Sequence, residues 1–228
     1  MLGGLAVAVV VVVRRPPPDA VVLLGDSIAE EAAPYLEDEV DGAPVVDRHH
    51  GGTAPCDWSA DDIPAGQGDL VVVSFSGNSL TDCMSDGAGG FLQGAALVDR
   101  YARDLRALVD GIRDRGAQVI LVGQPARRPD ADGAGNVPRL NHLYEALAEG
   151  EGVSYVDAGA ALETDDGAFA ADLPCLPDEP QCAPSGRNPV RHPDGVHLCP
   201  VPSEGGCSVH SSGALRFARA IADAIAWR

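Results

Sequence analysis

A serine follows the first strongly apolar run after the prolines near the N-terminus. Residues 21–24 are typical of a buried strand, and Gly25, Asp26 and Ser27 come directly after them, ahead of a stretch with helical character. A serine at such a strand-to-helix turn exposes its hydroxyl at the carboxyl edge of a sheet, near a helix N-terminus that stabilises negative charge. Ser27 is therefore a candidate nucleophile, although the tripeptide alone more often indicates only a helix cap.

Asp194 and His197 form a second candidate group, close to the C-terminus. An aspartate three residues before a histidine on a turn can place its carboxylate against one imidazole nitrogen, leaving the other nitrogen free to face a nucleophile. The spacing alone is common in surface loops, but here it precedes the last predicted helix. The two residues are therefore a candidate general base and the acid that orients it.

Candidate donors for an oxyanion follow two other predicted strands. Asn78 comes shortly after the apolar run at 70–75, and Gly51 and Gly52 follow the run at 45–46. A side-chain amide and backbone N–H groups are the kinds of donor that stabilise a tetrahedral oxyanion. Each segment alone is an ordinary turn. Of the two glycines we favour Gly52 and leave Gly51 open.

These candidates need a fold that brings several loops to one edge. Apolar runs predict five strands, at 21–24, 45–46, 70–75, 119–122 and 153–156. Helical periodicity predicts helices at 98–112, with Val98 on the buried face, at 136–147 and at 212–227. Alternating strands and helices predict an α/β fold, a three-layer α/β/α sandwich around a parallel sheet, with the site at the carboxyl ends of the strands.

As an ordered set over residues 20–228, the motifs resemble those of the SGNH (GDSL-type) hydrolase family. The Gly-Asp-Ser block ending at Ser27 matches the family's nucleophile block, although Ile28 replaces the usual leucine. Asp194 and His197 match the block that carries the acid and base of the catalytic triad. The resemblance implies a central five-stranded parallel sheet of flavodoxin-like topology.

The resemblance also implies an oxyanion hole and a reaction. Asn78 matches the family's oxyanion asparagine, with Ser79 where the family has aspartate, and Gly51 or Gly52 matches the glycine that supplies an N–H. With the N–H of Ser27, these groups imply ester hydrolysis through an acyl-enzyme, with no cofactor and no metal. We expect a serine esterase for short-chain, carbohydrate-linked acyl esters. The alternatives are an extracytoplasmic O-acyltransferase with a glycan acceptor and a non-catalytic glycan-binding module.

The charge of the chain excludes two classes of partner. Its 228 residues carry 16 basic and 34 acidic side chains, a net charge of −18, and the sequence contains no lysine. A nucleic-acid-binding protein needs a basic face, and an anionic membrane surface would repel this chain. The expected partner is a small-molecule or glycan ester, and the sequence does not indicate an oligomeric state.

Six cysteines indicate an oxidising compartment. They are Cys56, Cys83, Cys175, Cys182, Cys199 and Cys207. Their even number and the absence of a Cys-x-x-Cys pair favour three disulfides. Cys175 with Cys182 and Cys199 with Cys207 are local pairs, but the connectivity stays open; a zinc site made by His197, Cys199, Cys207 and His210 is the weaker alternative. The irregular segment 163–193 is expected to form an ordered wall over the site.

The N-terminal segment supports export. Residues 1–13 are wholly apolar and too short to span a membrane, which takes ~20 residues, and prolines follow at 16–18. The run matches the core of a signal peptide in length but lacks a basic start and a clear cleavage site. We interpret residues 1–18 as a truncated signal or membrane anchor with a proline-rich linker, ahead of one domain at 19–228. A buried first strand is the alternative, and a secreted or cell-surface location is expected.

Overall fold

The computed structural model describes residues 16–132, 135–203 and 205–226, which form one α/β domain. A parallel sheet has the strand order β2-β1-β3-β4-β5, which is the predicted flavodoxin-like arrangement. Its strands are β1 (Val21–Gly25), β2 (Val45–His49), β3 (Leu70–Ser74), β4 (Gln118–Val122) and β5 (Val153–Val156). The predicted fold class and all five strands are confirmed.

Four helices cover the two faces of this sheet. They are α1 (Ser27–Glu39), α2 (Gly94–Asp114), α3 (Asn136–Leu147) and α4 (Ser212–Ala226). Alternate residues of β1 point to opposite faces, because side chains alternate along a strand. Val21 and Leu23 pack with α1 and α4, whereas Val22 and Leu24 pack with α2 and α3. The result is the predicted three-layer sandwich with one apolar core on each side of the sheet.

Two details of the predicted elements are corrected. Strand β2 extends beyond its apolar start through Asp47 to His49. It lies at the edge of the sheet, where polar side chains can reach solvent, so its polar half can still be strand. Helix α2 buries Leu97 rather than Val98, which is only half-buried. The predicted helical period is right, but in the first turn of α2 the buried residue is Leu97, one position before the predicted Val98.

Most of the segment 163–193 is an ordered excursion, and only its end reaches the site, where the His192 Nδ1 lies 3.0 Å from an Asp194 carboxylate oxygen. It carries a two-stranded antiparallel hairpin of β6 (Asp172–Pro174) and β7 (Arg187–Pro189). The hairpin packs on α4, where Arg216 donates to the Pro174 carbonyl at 2.6 Å. The expectation of a wall was wrong for this hairpin, because it packs on α4 and none of its residues lines the cavity at Ser27.

All six cysteines are paired in disulfides, Cys56–Cys83, Cys175–Cys182 and Cys199–Cys207. Both predicted local pairs are therefore confirmed. The third of these bridges closes a short hairpin of β8 (Pro202–Ser203) and β9 (Gly206–Cys207). Because the sulfurs of Cys199 and Cys207 are bonded to each other, neither can ligate zinc.

The interpretation of residues 1–18 as a signal or anchor falls on residues 1–15, which lie outside the described part of the chain. Among the described residues, no helix combines the length and the apolar character needed to cross a membrane.

Candidate active site

The turn that carries Ser27 depends on a glycine. A Cβ atom on Gly25 would lie 2.2 Å from the carbonyl oxygen of Ser74 on β3 and 2.6 Å from the Cβ of Ala29. Both distances are far below van der Waals contact, so a side chain cannot be placed here without moving the backbone. Glycine therefore lets β1 lie close to β3 and lets α1 begin immediately after the strand.

Asp26 caps helix α1 and connects it to the loop after β3. One carboxylate oxygen accepts the N–H of Ile28 at 3.1 Å, and the other accepts both the N–H and the hydroxyl of Ser76 at 2.7 Å. Complete burial raises the pKa of Asp26, although the hydrogen bonds from Ser76 oppose the shift. Apart from the nucleophile, sequence reasoning expected at most a helix cap in this tripeptide, and the residue that caps α1 is Asp26. The structure shows that it joins the turn of Ser27 to the loop that carries Asn78.

Ser27, His197 and Asp194 lie in one chain of hydrogen-bond distances. The Ser27 Oγ is 3.0 Å from the His197 Nε2, and the His197 Nδ1 is 2.7 Å from an Asp194 carboxylate oxygen. Ser27 begins α1 at the carboxyl end of β1, while the other two residues lie in the loop before α4. The fold thus brings together residues 170 positions apart. The contacts have the order that a nucleophile, a base and an orienting acid require.

The second carboxylate oxygen of Asp194 holds its own loop. It accepts the N–H groups of Val196 at 2.8 Å and His197 at 3.0 Å. Partial burial by itself raises the pKa of Asp194, but hydrogen bonds from the His197 ring and these two N–H groups outweigh burial. The pKa therefore lies well below its usual range, and the carboxylate is ionised at neutral pH.

The loop after β4 supports the Asp194 loop from outside. The Arg128 N–H donates to the Gly195 carbonyl at 3.0 Å, and its guanidinium donates to the Pro193 carbonyl at 2.6 Å. Arg191, which precedes Asp194 in the histidine loop, donates to the Ala126 carbonyl in the loop after β4 at 2.8 Å. These contacts, which the sequence did not indicate, attach the histidine loop to the edge of the sheet.

Asn78 directs its amide nitrogen away from its own loop. Its side-chain oxygen accepts the Leu80 N–H at 3.1 Å, and its backbone carbonyl accepts the Tyr101 hydroxyl at 2.8 Å. The side-chain nitrogen has no hydrogen-bond partner within the described residues. A Cβ atom built on Gly52 would lie 3.7 Å from that nitrogen. The Asn78 amide and Gly52 are therefore neighbours.

The two glycines after β2 have different surroundings. The N–H of Gly51 donates to a Glu30 carboxylate oxygen at 2.9 Å, whereas the N–H of Gly52 has no such partner in the described part of the chain. Gly52 has a φ of 87°, a conformation that favours glycine. The geometry therefore favours Gly52 over Gly51 as a donor to a ligand.

Two consecutive glutamates of α1, which the sequence analysis did not single out, contact loops of the site. The second oxygen of Glu30 accepts the Gly205 N–H from the β8–β9 hairpin at 3.0 Å. One oxygen of Glu31 accepts the N–H of Leu198 at 2.6 Å and that of Cys199 at 3.2 Å. Burial raises the pKa of Glu31, since these donors and the nearby His197 offset only part of the penalty. The sequence signal that could have identified Glu31 is an acidic residue on a face of α1 that is otherwise apolar.

A cavity of about 140 Å³ opens beside the nucleophile. It is lined by Ser27, Glu30, Glu31, His197, Pro202, Ser203 and Gly206. The wall of this cavity comes from the β8–β9 hairpin, so the hairpin closed by Cys199–Cys207 takes the place that was expected of segment 163–193.

Solved structures share this fold across nearly the whole chain. An acetylxylan esterase from Geobacillus stearothermophilus covers 91% of this chain and 94% of its own, with a TM-score of 0.60 and 16% identity. A GDSL-like lipase from Bacteroides thetaiotaomicron covers 91% and 87%, with a TM-score of 0.56 and 18% identity. The C-terminal catalytic domain of peptidoglycan O-acetyltransferase A from Streptococcus pneumoniae covers 92% and 94%, with a TM-score of 0.53 and 17% identity. The chain therefore shares its fold with these esterase, lipase and acetyltransferase structures.

Sequence comparison identifies the family. No curated protein matches the chain. The model of a family described as "Protein of unknown function (DUF459)" matches residues 20–205, which include the turn of Ser27, both glycines, Asn78 and the Asp194–His197 loop. The chain therefore belongs to the DUF459 family.

Proposed function

We propose that this protein is a serine hydrolase that cleaves acyl esters through an acyl-enzyme on Ser27. The observation that carries the proposal is the hydrogen-bond chain from Ser27 Oγ to His197 Nε2 at 3.0 Å and from His197 Nδ1 to Asp194 at 2.7 Å. A base so placed can remove the serine proton, while an ionised carboxylate keeps the correct tautomer of the imidazole. The SGNH hydrolase fold supports the same conclusion.

The reaction proceeds in two halves. His197 takes the proton of the Ser27 hydroxyl as its oxygen attacks the acyl carbonyl carbon, and the N–H groups of Ser27 and Gly52 with the Asn78 amide stabilise the oxyanion. His197 then gives its proton to the leaving alcohol, and the acyl group stays on Ser27. In the second half, His197 removes a proton from water, which attacks the acyl carbon and releases the acid and free Ser27.

The proposed substrates are short acyl esters, with carbohydrate-linked acetyl groups as the favoured class. The cavity beside Ser27 measures about 140 Å³, a volume that suits a small acyl group better than a long chain. A structure similar to this chain is that of an acetylxylan esterase, which supports an acylated sugar as the alcohol part.

A second candidate is transfer of the acyl group to a glycan hydroxyl instead of water. It is supported by the similarity to the peptidoglycan O-acetyltransferase A domain. The chemistry on Ser27 is the same, and only the acceptor of the second half changes. Incubation with an acetyl donor and a soluble glycan, followed by mass spectrometry, distinguishes acetylated glycan from free acetate. A non-catalytic glycan-binding module would form neither product.

The proposed location is outside the cytoplasm, either secreted or at the cell surface. Three disulfides pair all six cysteines of the chain, and such bonds persist where the environment is oxidising. Fractionation of cells that express the tagged full chain tests the location, and recovery of fully reduced protein in the cytosol would contradict it.

The first test is hydrolysis of p-nitrophenyl acetate by the oxidised full chain and by its Ser27→Ala variant. Loss of the nucleophile is expected to lower kcat by several orders of magnitude, up to about 10⁶-fold. Ser185→Ala, at an exposed position in the β6–β7 connection, is the matched control and should retain full activity. A fluorophosphonate probe should label the wild type and the control but not Ser27→Ala. Full activity or labelling of folded Ser27→Ala would remove Ser27 from the mechanism.

A further inference from the structure

Glu31 is unusual because it is a carboxylate on the buried face of α1. Only 5% of it is exposed, and the other buried side chains of α1 are apolar, namely Ile28, Ala29, Ala32, Ala33 and Leu36. Burying a carboxylate costs free energy unless hydrogen bonds compensate it. An apolar residue would fill this position at lower cost, which indicates that the oxygen atoms of Glu31 have a use.

Both donors to Glu31 follow His197 directly in the chain. A single carboxylate oxygen accepts the N–H of Leu198 at 2.6 Å and of Cys199 at 3.2 Å. The Leu198 carbonyl is held in turn by the Ser211 hydroxyl at 2.7 Å. Without Glu31, two buried backbone donors would lose their acceptor, and the residues directly after His197 would lose these hydrogen bonds to α1.

Glu31 and Ser27 lie on the same face of one helix. They are four residues apart, which places them about 6 Å apart along the helix axis on neighbouring turns. Ser27 meets the His197 ring, and Glu31 holds the backbone directly after it. The distance between Ser27 and His197 therefore depends on the helical turn that joins Ser27 to Glu31 and on the Glu31 side chain that holds the backbone after His197.

We propose that Glu31 is a positioning residue, which holds the His197 loop on α1 so that the imidazole stays within hydrogen-bond distance of Ser27. The proposal rests on the proposed function, because it assigns Glu31 a role in that same site. The charged groups that face Glu31 are His197, Asp194 and Arg191, all from the loop before α4. Glu31 also lines the cavity beside Ser27, but its hydrogen bonds go to the backbone directly after His197, so its positioning role acts through His197.

The test compares two variants of equal side-chain length in the oxidised full chain. Glu31→Gln keeps an oxygen acceptor for the two N–H groups, whereas Glu31→Met removes it. A misplacement of about 1 Å costs about 10²-fold in rate, so Glu31→Met should lower kcat on p-nitrophenyl acetate by about 10- to 100-fold. The loss should fall on kcat more than on KM, because the loop positions the base; a change confined to KM would instead reflect the place of Glu31 in the cavity lining and would overturn the positioning role. Glu31→Gln should retain kcat within about threefold of the wild type.

Two controls separate this role from general stability and from the proposed function. Glu37→Met, on the exposed side of α1, should leave kcat unchanged. Thermal unfolding verifies that each variant is folded; if Glu31→Met is not, Glu31→Asp, which shortens the reach by one methylene, should show the same loss of kcat. Equal kcat for a folded Glu31→Met or Glu31→Asp and the wild type would overturn the positioning role. So would equal losses for the Gln and Met variants. Activity retained by Ser27→Ala would instead overturn the proposed function.

Discussion

Replacement of Asp194 by asparagine should inactivate the site without unfolding it. In the wild type, one carboxylate oxygen accepts two backbone N–H groups, and the other accepts the His197 ring N–H at 2.7 Å. Asparagine has only one side-chain oxygen. If that oxygen serves the N–H groups of Val196 and His197, the amide nitrogen faces His197 Nδ1 and donates to it. The proton then moves to Nε2, which faces Ser27 and can no longer accept a proton.

The opposite orientation of the amide has a different cost. It would restore the contact with the His197 ring but would place two amide hydrogens against the N–H groups of Val196 and His197. Leaving buried donors without an acceptor costs about 1–3 kcal/mol each, so the first orientation is preferred. In serine proteases the wrong tautomer lowers kcat by about 10⁴-fold, equivalent to about 5 kcal/mol of transition-state stabilisation. We expect a loss of that size for Asp194→Asn.

The assay is kcat for p-nitrophenyl acetate at pH 8, with thermal unfolding of the same samples. Asp194→Asn should stay folded at the assay temperature, because it keeps the shape of the side chain and both backbone contacts, although its melting temperature should fall with the loss of the ionised carboxylate. The matched control is Asp99→Asn, which removes an exposed carboxylate on α2, away from the loops of the site, and should retain kcat. A folded Asp194→Asn variant with kcat within tenfold of the wild type would refute the assigned role of Asp194.

Three further predictions follow from the same contacts. Asn78→Ala should lower kcat by about 10²- to 10³-fold, the loss typical of removing one oxyanion donor, with a smaller effect on KM. Steady-state kinetics measure both constants, and an unchanged kcat would show that Asn78 does not contact the oxyanion. Gly25→Ala should reduce the melting temperature strongly or prevent folding, since its Cβ would lie 2.2 Å from the Ser74 carbonyl oxygen, and a melting temperature equal to the wild type would contradict the close approach of β1 and β3. The pKa of Asp194 is lowered from its ordinary value of 3.8, so its stabilising contribution is complete above that pH and is lost as the pH falls below it. The wild type should therefore lose more stability than Asp194→Asn between pH 5 and pH 2, and equal losses in urea titrations would contradict this linkage.

The strands and the order of the candidate residues could be predicted from the sequence because the signals are local. A central parallel strand is buried on both faces, so β1, β3 and β4 are continuous apolar runs. The predicted site residues follow strand ends or precede the last helix, and a parallel sheet brings such loops to one edge. The edge strand β2 was harder to delimit, because its polar half looks like a loop.

Other features depend on contacts between distant segments, which no local pattern encodes. The difference between Gly51 and Gly52 comes from Glu30, whose carboxylate accepts the N–H of Gly51 from 21 residues away. The pairing of Cys56 with Cys83 requires two loops to lie side by side. Likewise, the sequence could not show that the β8–β9 hairpin, rather than segment 163–193, lines the cavity at Ser27.

The sequence by itself therefore predicted the fold class and the candidate nucleophile, base and acid, and it indicated two local cysteine pairs without fixing the connectivity. Each of these follows from residue type and short spacing, on which hydrophobic burial and turn geometry act directly. The tertiary structure alone decided the distances at the site, the different surroundings of Gly51 and Gly52, and the contacts of Asp26 and Glu31. From the sequence alone, a glutamate within a helix is expected at the surface. The packed structure shows that Glu31 is buried, and a buried carboxylate needs hydrogen-bond donors, which another loop supplies here.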